Sequence, residues 1–379
     1  MLLASFKDPQ RRHLLIMGFA AFFLLGAQQA MYGPSLPLFR AKFGLEVDQV
    51  SAVVSAQFLG AFLAIVASGI LIRAVGYRRV LIAGALGVAG GLGAIAVAGA
   101  WWQAVAGAFV GGAGFGILNI SFNLLLALSF RPNAAPALNL LNAVFGVGAI
   151  VGPLLVAALE PRLALPFLVL AGVALVLLVL VMLLDVPRAV ATTRTAAPAS
   201  LGLLALFVLL YFFYVSTEAG VANFQTEHLA PHFGAATAAG FPALFWGAIT
   251  LGRLIATPVS AFIRPPAMVL GSAVLATITL LFASNVVAAP YVYAAVGLLL
   301  APIFATALAW LTDVFPERAE QYTPIVVAGA NLGPVVTAPI IGVTVANLGT
   351  GSIPIALACS GALLVAAVSV LFVRTRGRA

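Results

Sequence analysis

Long apolar runs alternate along the chain with short clusters of charge, proline and small polar residues, and the runs are too long and too continuous for half-buried strands or two-faced helices. A bilayer core about 30 Å thick takes about 20 mostly apolar residues per helix. Cutting the sequence at its charges, prolines and polar clusters leaves twelve pieces of that size, near 14–38, 49–72, 77–99, 101–128, 134–158, 163–185, 201–227, 236–262, 267–286, 289–313, 322–347 and 351–373. This predicts an all-α membrane protein with twelve transmembrane helices, each boundary good to about 3 residues. The first piece is too long, and too polar at its end, for a cleaved signal peptide, and it is expected to stay as a span.

Basic residues, Arg253 apart, lie in the connections or at the ends of spans. With both ends on one side, Lys7, Arg11, Arg12, Arg73, Arg78, Arg79, Arg131, Arg188, Arg194, Arg264, Arg318, Arg374, Arg376 and Arg378 share the terminal face, and Arg40, Lys42 and Arg162 lie across the membrane. The positive-inside rule then puts both termini in the cytoplasm of a multi-pass protein of the cytoplasmic (inner) membrane. Composition agrees: of 379 residues 63% are hydrophobic and 7% charged, against roughly 25% charged in a soluble domain. Disordered and collagenous classes fall with that, and the net charge of +8 is topological, which removes the reason to expect a nucleic-acid partner.

Chemistry that needs special side chains is scarce. Cys359 is the single cysteine, so neither an intramolecular disulfide nor a cysteine zinc site can form. His13, His228 and His232 include no H-E-x-x-H, and no phosphate-binding G-x-x-x-x-G-K-[ST] occurs. No cofactor or metal is expected. His228 and His232 read as wet residues near an outer helix end. No His or Asp lies deep beside a Ser, so an intramembrane enzyme is not expected.

Residues 187–200 form the longest stretch without a membrane-like run and read as a cytoplasmic linker between an N-terminal bundle, 1–186, and a C-terminal bundle, 201–379. Similar segments recur at nearly one offset. Gly69-Ile70-Leu71-Ile72-Arg73 matches Ser260-Ala261-Phe262-Ile263-Arg264, the Leu128–Pro132 stretch matches Val314–Arg318, and Gly152-Pro153 matches Ala338-Pro339. Two related six-helix, pseudo-symmetric bundles follow.

Such parallel halves around a central cavity resemble the major facilitator superfamily, over essentially the whole chain. Its loop signature between the second and third spans, G-x-x-x-D-R-x-G-R-R, is similar to Gly69 through Arg79 here: Gly69, Gly76 and the pair Arg78-Arg79 match, and Arg73 stands where the acid belongs. The resemblance implies a gating role for these residues, with an altered charge relay. Finer features resemble the fucose/galactose/glucose:proton symporter family. They are the seventh-span stretch Tyr211–Gly220 with its aromatics and Glu218, the eighth-span stretch Phe245–Arg253 with its Trp-Gly and Gly-Arg, the fifth-span stretch Leu140–Ala149, and the tenth-span Ala301–Thr306 running into Phe315-Pro316-Glu317-Arg318. Sugar symporters of that family generally carry acids in spans one and four. Here those spans offer only amides and Tyr32.

Two charged residues stand well inside the C-terminal half. A charge at the bilayer centre costs at least ~2.5–3.5 kcal/mol and should find a partner, so Glu218 and Arg253 on neighbouring spans are read either as a structural ion pair or as a proton-coupling pair. Amides supply the candidate binding groups. Gln28, Gln29 and Tyr32 lie on span one; Asn119 and Asn123 sit one turn apart on span four; Asn142, with Asn139, lies on span five; Asn223 and Gln225 lie on span seven. Paired amides with aromatic platforms such as Tyr211, Tyr214, Phe245 and Trp246 suit a neutral polyol, and each amide also suits interhelical packing. Gly148, Gly152 and Pro153 let span five approach a neighbour closely and bend, which makes them candidate conformational residues.

The leading expectation is a monomeric secondary or facilitative transporter that works by alternating access on a monosaccharide or similar small polar solute. Proton coupling would run through Glu218, or the protein would be a facilitator. The G-x-x-x-G-P element of span five also resembles a motif of drug antiporters, so a proton-coupled exporter of amphipathic compounds is the alternative.

Overall fold

The computed structural model describes residues 8–130, 134–183, 201–260 and 262–376, and within these only helices and turns occur. The helices are α1 Pro9–Phe43, α2 Val47–Val50, α3 Ala52–Val97, α4 Trp101–Ser129, α5 Ala135–Leu159, α6 Ala164–Leu183, α7 Leu201–Phe233, α8 Ala235–Gly240, α9 Pro242–Val259, α10 Pro265–Leu281, α11 Ala289–Leu300, α12 Ile303–Val314, α13 Ala319–Leu348 and α14 Ile353–Thr375. Among the described residues eleven segments are long and apolar enough to cross a membrane, and one of them, Val47–Val97, has 51 residues. That segment is broken at Gly76, whose φ of 79° and ψ of 161° are non-helical. It therefore supplies two spans, and the twelve-helix reading holds. The connection expected at 73–76 shrinks to that single residue, because glycine occupies a conformation essentially closed to other residues. The linker expected at 187–200 lies outside the described residues, as do Lys7, Arg131, Arg188, Arg194 and Arg378.

Two spans need correcting. The first was expected over 14–38, yet α1 runs from Pro9 to Phe43 with Pro34 and Pro37 inside it. Prolines are tolerated in spanning helices because neighbouring helices satisfy the freed carbonyls. The helix stops where Gly44, at φ 65°, lets the amides of Gly44 and Leu45 both reach the Arg40 carbonyl, at 2.9 and 3.2 Å. The seventh span was expected to end near 227, and α7 runs on to Phe233 with Pro231 within it.

By packing, the chain divides into two compact units: Met1–Tyr32 with Ala56–Thr193, and Gly33–Ser55 with Arg194–Ala379. In the first, α1 and α5 touch backbone to backbone. A Cβ added at Gly26 would collide with the Phe145 carbonyl oxygen, and one at Gly148 with that of Phe23. At Gly152 the added Cβ would lie 2.5 Å from the Ala27 carbonyl oxygen. Glycine is thus required at these positions by space, the small-residue logic of helices that pack without a hydrophobic driving force. Phe22 and Phe145 close the same seam edge to face at 6.4 Å.

In the second unit α7 is the central helix and packs on α8, α9, α11, α12, α13 and α14. Every residue from Ser216 to Leu229 is buried. A helix apolar on one stripe would leave a wet face, so burial all round means that α7 has protein on every side. The outer faces of both units carry exposed large apolar side chains, such as Ile70, Leu86, Val176, Leu183, Leu254 and Val373. An apolar exterior of this extent has lipid as its solvent.

Candidate functional site

The second unit holds the charged cluster. Tyr214 and Glu218 stand one turn apart on α7 and so share a face. The Tyr214 hydroxyl donates to Glu218 Oε1 at 3.0 Å, and Arg253 Nη2, from α9, lies 3.8 Å from the same oxygen. Glu218 is 7% exposed. The Arg253 side chain is 33% exposed, which leaves it a route to water. The two charges singled out from the sequence therefore do meet. Tyr211, one turn before, donates to the Phe304 carbonyl at 2.7 Å, and the Phe304 ring stands edge-on to Tyr211 at 5.2 Å and tilted to Tyr214 at 6.1 Å. Below Glu218, Thr217 and Ser360 of α14 share a hydroxyl hydrogen bond of 3.0 Å. Phe245 and Trp246 of α9 are buried, with rings edge to face at 5.5 Å.

Other α7 polar groups are interior. Asn223 is buried and spends an amide hydrogen on the Ala219 carbonyl of its own helix, at 2.8 Å. Gln225 is fully buried, and neither its amide nitrogen nor its oxygen finds a hydrogen-bond partner among the described residues. An unpaired buried amide costs about 1–3 kcal/mol, so it marks a place built for more than packing.

The first unit gathers part of the expected amide set. Gln28 Nε2 donates to the Gly111 carbonyl of α4 at 2.9 Å. Tyr32 is buried and meets the Phe167 ring edge-on at 6.0 Å. Gln29 is half-buried. Asn119 and Asn123 do share a face of α4: Asn123 Nδ2 lies 2.9 Å from the Asn119 carbonyl and 3.4 Å from its side-chain oxygen. Asn142 is exposed, and its amide donates to Leu138 within α5 at 2.9 Å. Gly69, Arg73, Gly76, Arg78 and Arg79 are exposed together around the α3 break, and Arg78 donates to the Met182 carbonyl at the end of α6.

Sequence reasoning missed one cluster and misjudged one residue. His228, expected as a wet loop residue, is 2% exposed, and its Nδ1 lies 2.8 Å from the Tyr293 hydroxyl of α11; only His232 is exposed. The reason is the extra length of α7, which carries residue 228 into the packed interior. Glu227 and Arg40, read only as a boundary residue and a topological cation, form an ion pair of 2.8 Å. The available signal was a carboxylate lying a few turns beyond Glu218 on a helix with no stop before Gly234.

Residues 18–300 match the model of the Major Facilitator Superfamily. The chain belongs to that superfamily and is a multi-pass membrane protein. Among curated proteins it is similar to Major facilitator superfamily domain-containing protein 4A of Mus musculus, 36% identical over 113 residues that cover 29% of this chain and 22% of the mouse protein. The corresponding match in Pongo abelii, 31% identical over 150 residues, covers 35% of this chain and 29% of that protein. The chain thus matches less than a third of the length of these relatives. It is also similar, at 23% identity and over 96% of both chains, to the glucose/mannose transporter GlcP of Bacillus subtilis (strain 168). Among solved structures, a D-xylose-proton symporter superposes with a TM-score of 0.77 at 14% identity, over 94% of this chain and 97% of that one. The E. coli fucose:proton symporter FucP gives 0.64 at 18% identity, over 94% and 98%. At such identities the likeness is one of fold.

Proposed function

We propose that this protein is a secondary transporter that works by alternating access, moves a monosaccharide or similar small polar solute, and couples to protons through Glu218, in preference to the facilitative alternative. The observation that carries the reading is the buried Tyr214–Glu218–Arg253 cluster. A carboxylate held by one hydroxyl and one partly exposed cation can exchange either partner, and an ionisable pair within a spanning segment is costly enough to mark a candidate functional site. The end-to-end similarity to GlcP, a glucose/mannose transporter, supports a hexose-like solute. Gln28, Gln29, Tyr32, Asn119, Asn123, Asn142, Tyr214, Asn223 and Trp246 are the proposed solute-binding set, since amides donate and accept in pairs and aromatic faces cover the C–H surface of a sugar. Gly69, Arg73, Gly76, Arg78 and Arg79, with Gly148, Gly152 and Pro153, are the proposed conformational elements. The two related bundles, 1–186 and 201–379, are their frame, with both termini in the cytoplasm and the protein a monomer in the inner membrane.

Uptake of radiolabelled D-glucose, D-mannose, D-xylose and L-fucose into proteoliposomes, with and without an imposed pH gradient, tests this reading. At least one sugar is expected to accumulate, and Glu218→Gln should abolish the response to the gradient while sugar binding survives. No uptake of any sugar under any gradient overturns the sugar assignment. A full pH response in Glu218→Gln overturns the coupling role.

A further inference from the structure

Further along α7 from Glu218 lies a second buried acid. Glu227 is 2% exposed. Its Oε2 pairs with Arg40 Nη1 at 2.8 Å, and its Oε1 is buried with no hydrogen-bond partner among the described residues. Arg40 belongs to the last turn of α1 and is held on its other sides by the Leu45 carbonyl, at 3.3 Å, and loosely by the exposed Glu46, at 3.8 Å.

The segment Gly33–Ser55, which carries Arg40, lies closely on α7 and α13. A Cβ at Gly33 would come 2.5 Å from the Ala222 carbonyl oxygen and the Asn223 Cα. One at Gly342 of α13 would come 2.8 Å from the Asp48 Cα, and Ser55 donates to the Val335 carbonyl of α13 at 3.2 Å. These contacts bring small residues and carbonyls close beside one ion pair. A buried ion pair resists separation until one charge is removed.

Few other titratable groups reach this place. Asp48 lies on α2, His228 and the exposed His232 on α7, and Tyr291 and Tyr293 on α11, where Tyr293 holds His228. Arg253 of α9 is engaged with Glu218, and α12 contributes Asp313 near its end. By sequence α8 carries none, α13 only Glu320 and Tyr322 in its first turn, and the first turns of α14 only Cys359.

We propose that Arg40–Glu227 is a proton-released latch: a proton bound at the free Oε1 of Glu227 discharges the carboxylate, Arg40 swings to water through its exposed side, and the segment 33–55 parts from α7 and α13. The balance is simple, since one proton adds to one carboxylate oxygen and one ion pair is lost. The proposal rests on the alternating-access reading, in which this parting is a step of the cycle, and it makes Glu227 a proton site separate from Glu218.

Hydrogen exchange of the full chain in lipid nanodiscs, read by mass spectrometry over residues 33–46 in mildly acidic and mildly alkaline buffer and corrected for intrinsic rates, tests it without a solute. Wild type should exchange faster in acid. Glu227→Gln should exchange at the fast rate in both buffers, about tenfold or more above alkaline wild type, given the strength of a buried charged hydrogen bond. His228→Gln should keep the wild-type response, and the swap Arg40→Glu with Glu227→Arg should restore slow alkaline exchange. Should Glu227→Gln fail to fold, Arg40→Gln reads the same release.

A wild-type rate that does not change with pH, or a pH response that survives in Glu227→Gln, overturns the latch. So does a response lost in His228→Gln alone. Sugar uptake with flat exchange removes the latch and leaves the transport reading standing. A pH-released segment with no sugar uptake does the reverse.

Discussion

Replacing Arg253 by Met should destabilise the protein more than replacing Glu218 by Gln, although both break the same pair. The charges stand 3.8 Å apart, which at an effective dielectric constant of 20 corresponds to about 4 kcal/mol. The Arg253 side chain is 33% exposed, and solvent screening reduces the net value to roughly 1–2 kcal/mol. Removing Arg253 also leaves the Glu218 carboxylate buried with only the Tyr214 hydroxyl, at 3.0 Å, so the total loss should be about 3 kcal/mol. Glu218→Gln keeps an oxygen for Tyr214 and leaves a cation that can hydrate, a loss of about 1 kcal/mol.

Melting of both variants in detergent, at about pH 8 and about pH 5, reads the difference. Taking up a proton discharges the orphaned carboxylate of Arg253→Met, so its deficit should narrow as the pH falls. Glu218→Gln has no carboxylate there and should hold its deficit at both values. A Glu218→Gln variant that melts at or below Arg253→Met at about pH 8, or a gap between them that ignores pH, refutes the electrostatic account of the pair.

Two further predictions concern glycines. Two helices must separate for Gly148→Leu, because the new side chain on α5 meets the Phe23 carbonyl of α1, so it should cost about 1–3 kcal/mol, whereas Gly172→Ala on α6, where an added Cβ meets nothing within 4 Å, should be neutral or slightly stabilising; equal melting points for the two would remove the close-approach argument. Gly76→Ala should cost about 1–3 kcal/mol through backbone strain alone, since its Cβ site is open, and limited proteolysis should then cut first near residues 74–78; an unchanged cleavage pattern and melting point would show that the helix break is not held by that glycine.

Much of the architecture was legible because lipid simplifies the code. A span must satisfy its own backbone and offer apolar side chains, so run length and interruptions alone gave twelve helices. The same simplicity hid the ends. Arg40 and Lys42 looked like a stop for α1, and Thr226 through His228 looked like the rim of α7, because polar residues end a helix when its surroundings are lipid. Here the surroundings are protein, and both helices continue. Asn142 shows what spacing leaves open: grouped with the binding amides, it stands exposed on α5 and donates to the Leu138 carbonyl of its own helix.

By itself the sequence determined the membrane class, the number of spans and the presence of two charges in the C-terminal half that needed a partner. These follow from composition and one-dimensional spacing, since the cost of a lone charge or an open backbone group in hydrocarbon is the same wherever the neighbours lie. Tertiary structure alone decided which groups meet: that Glu218 takes both Tyr214 and Arg253, that α7 is covered on all sides, and that Arg40 reaches Glu227 from the far end of another helix. Such pairings depend on which helices pack together and how far each extends, and a single chain of letters records neither.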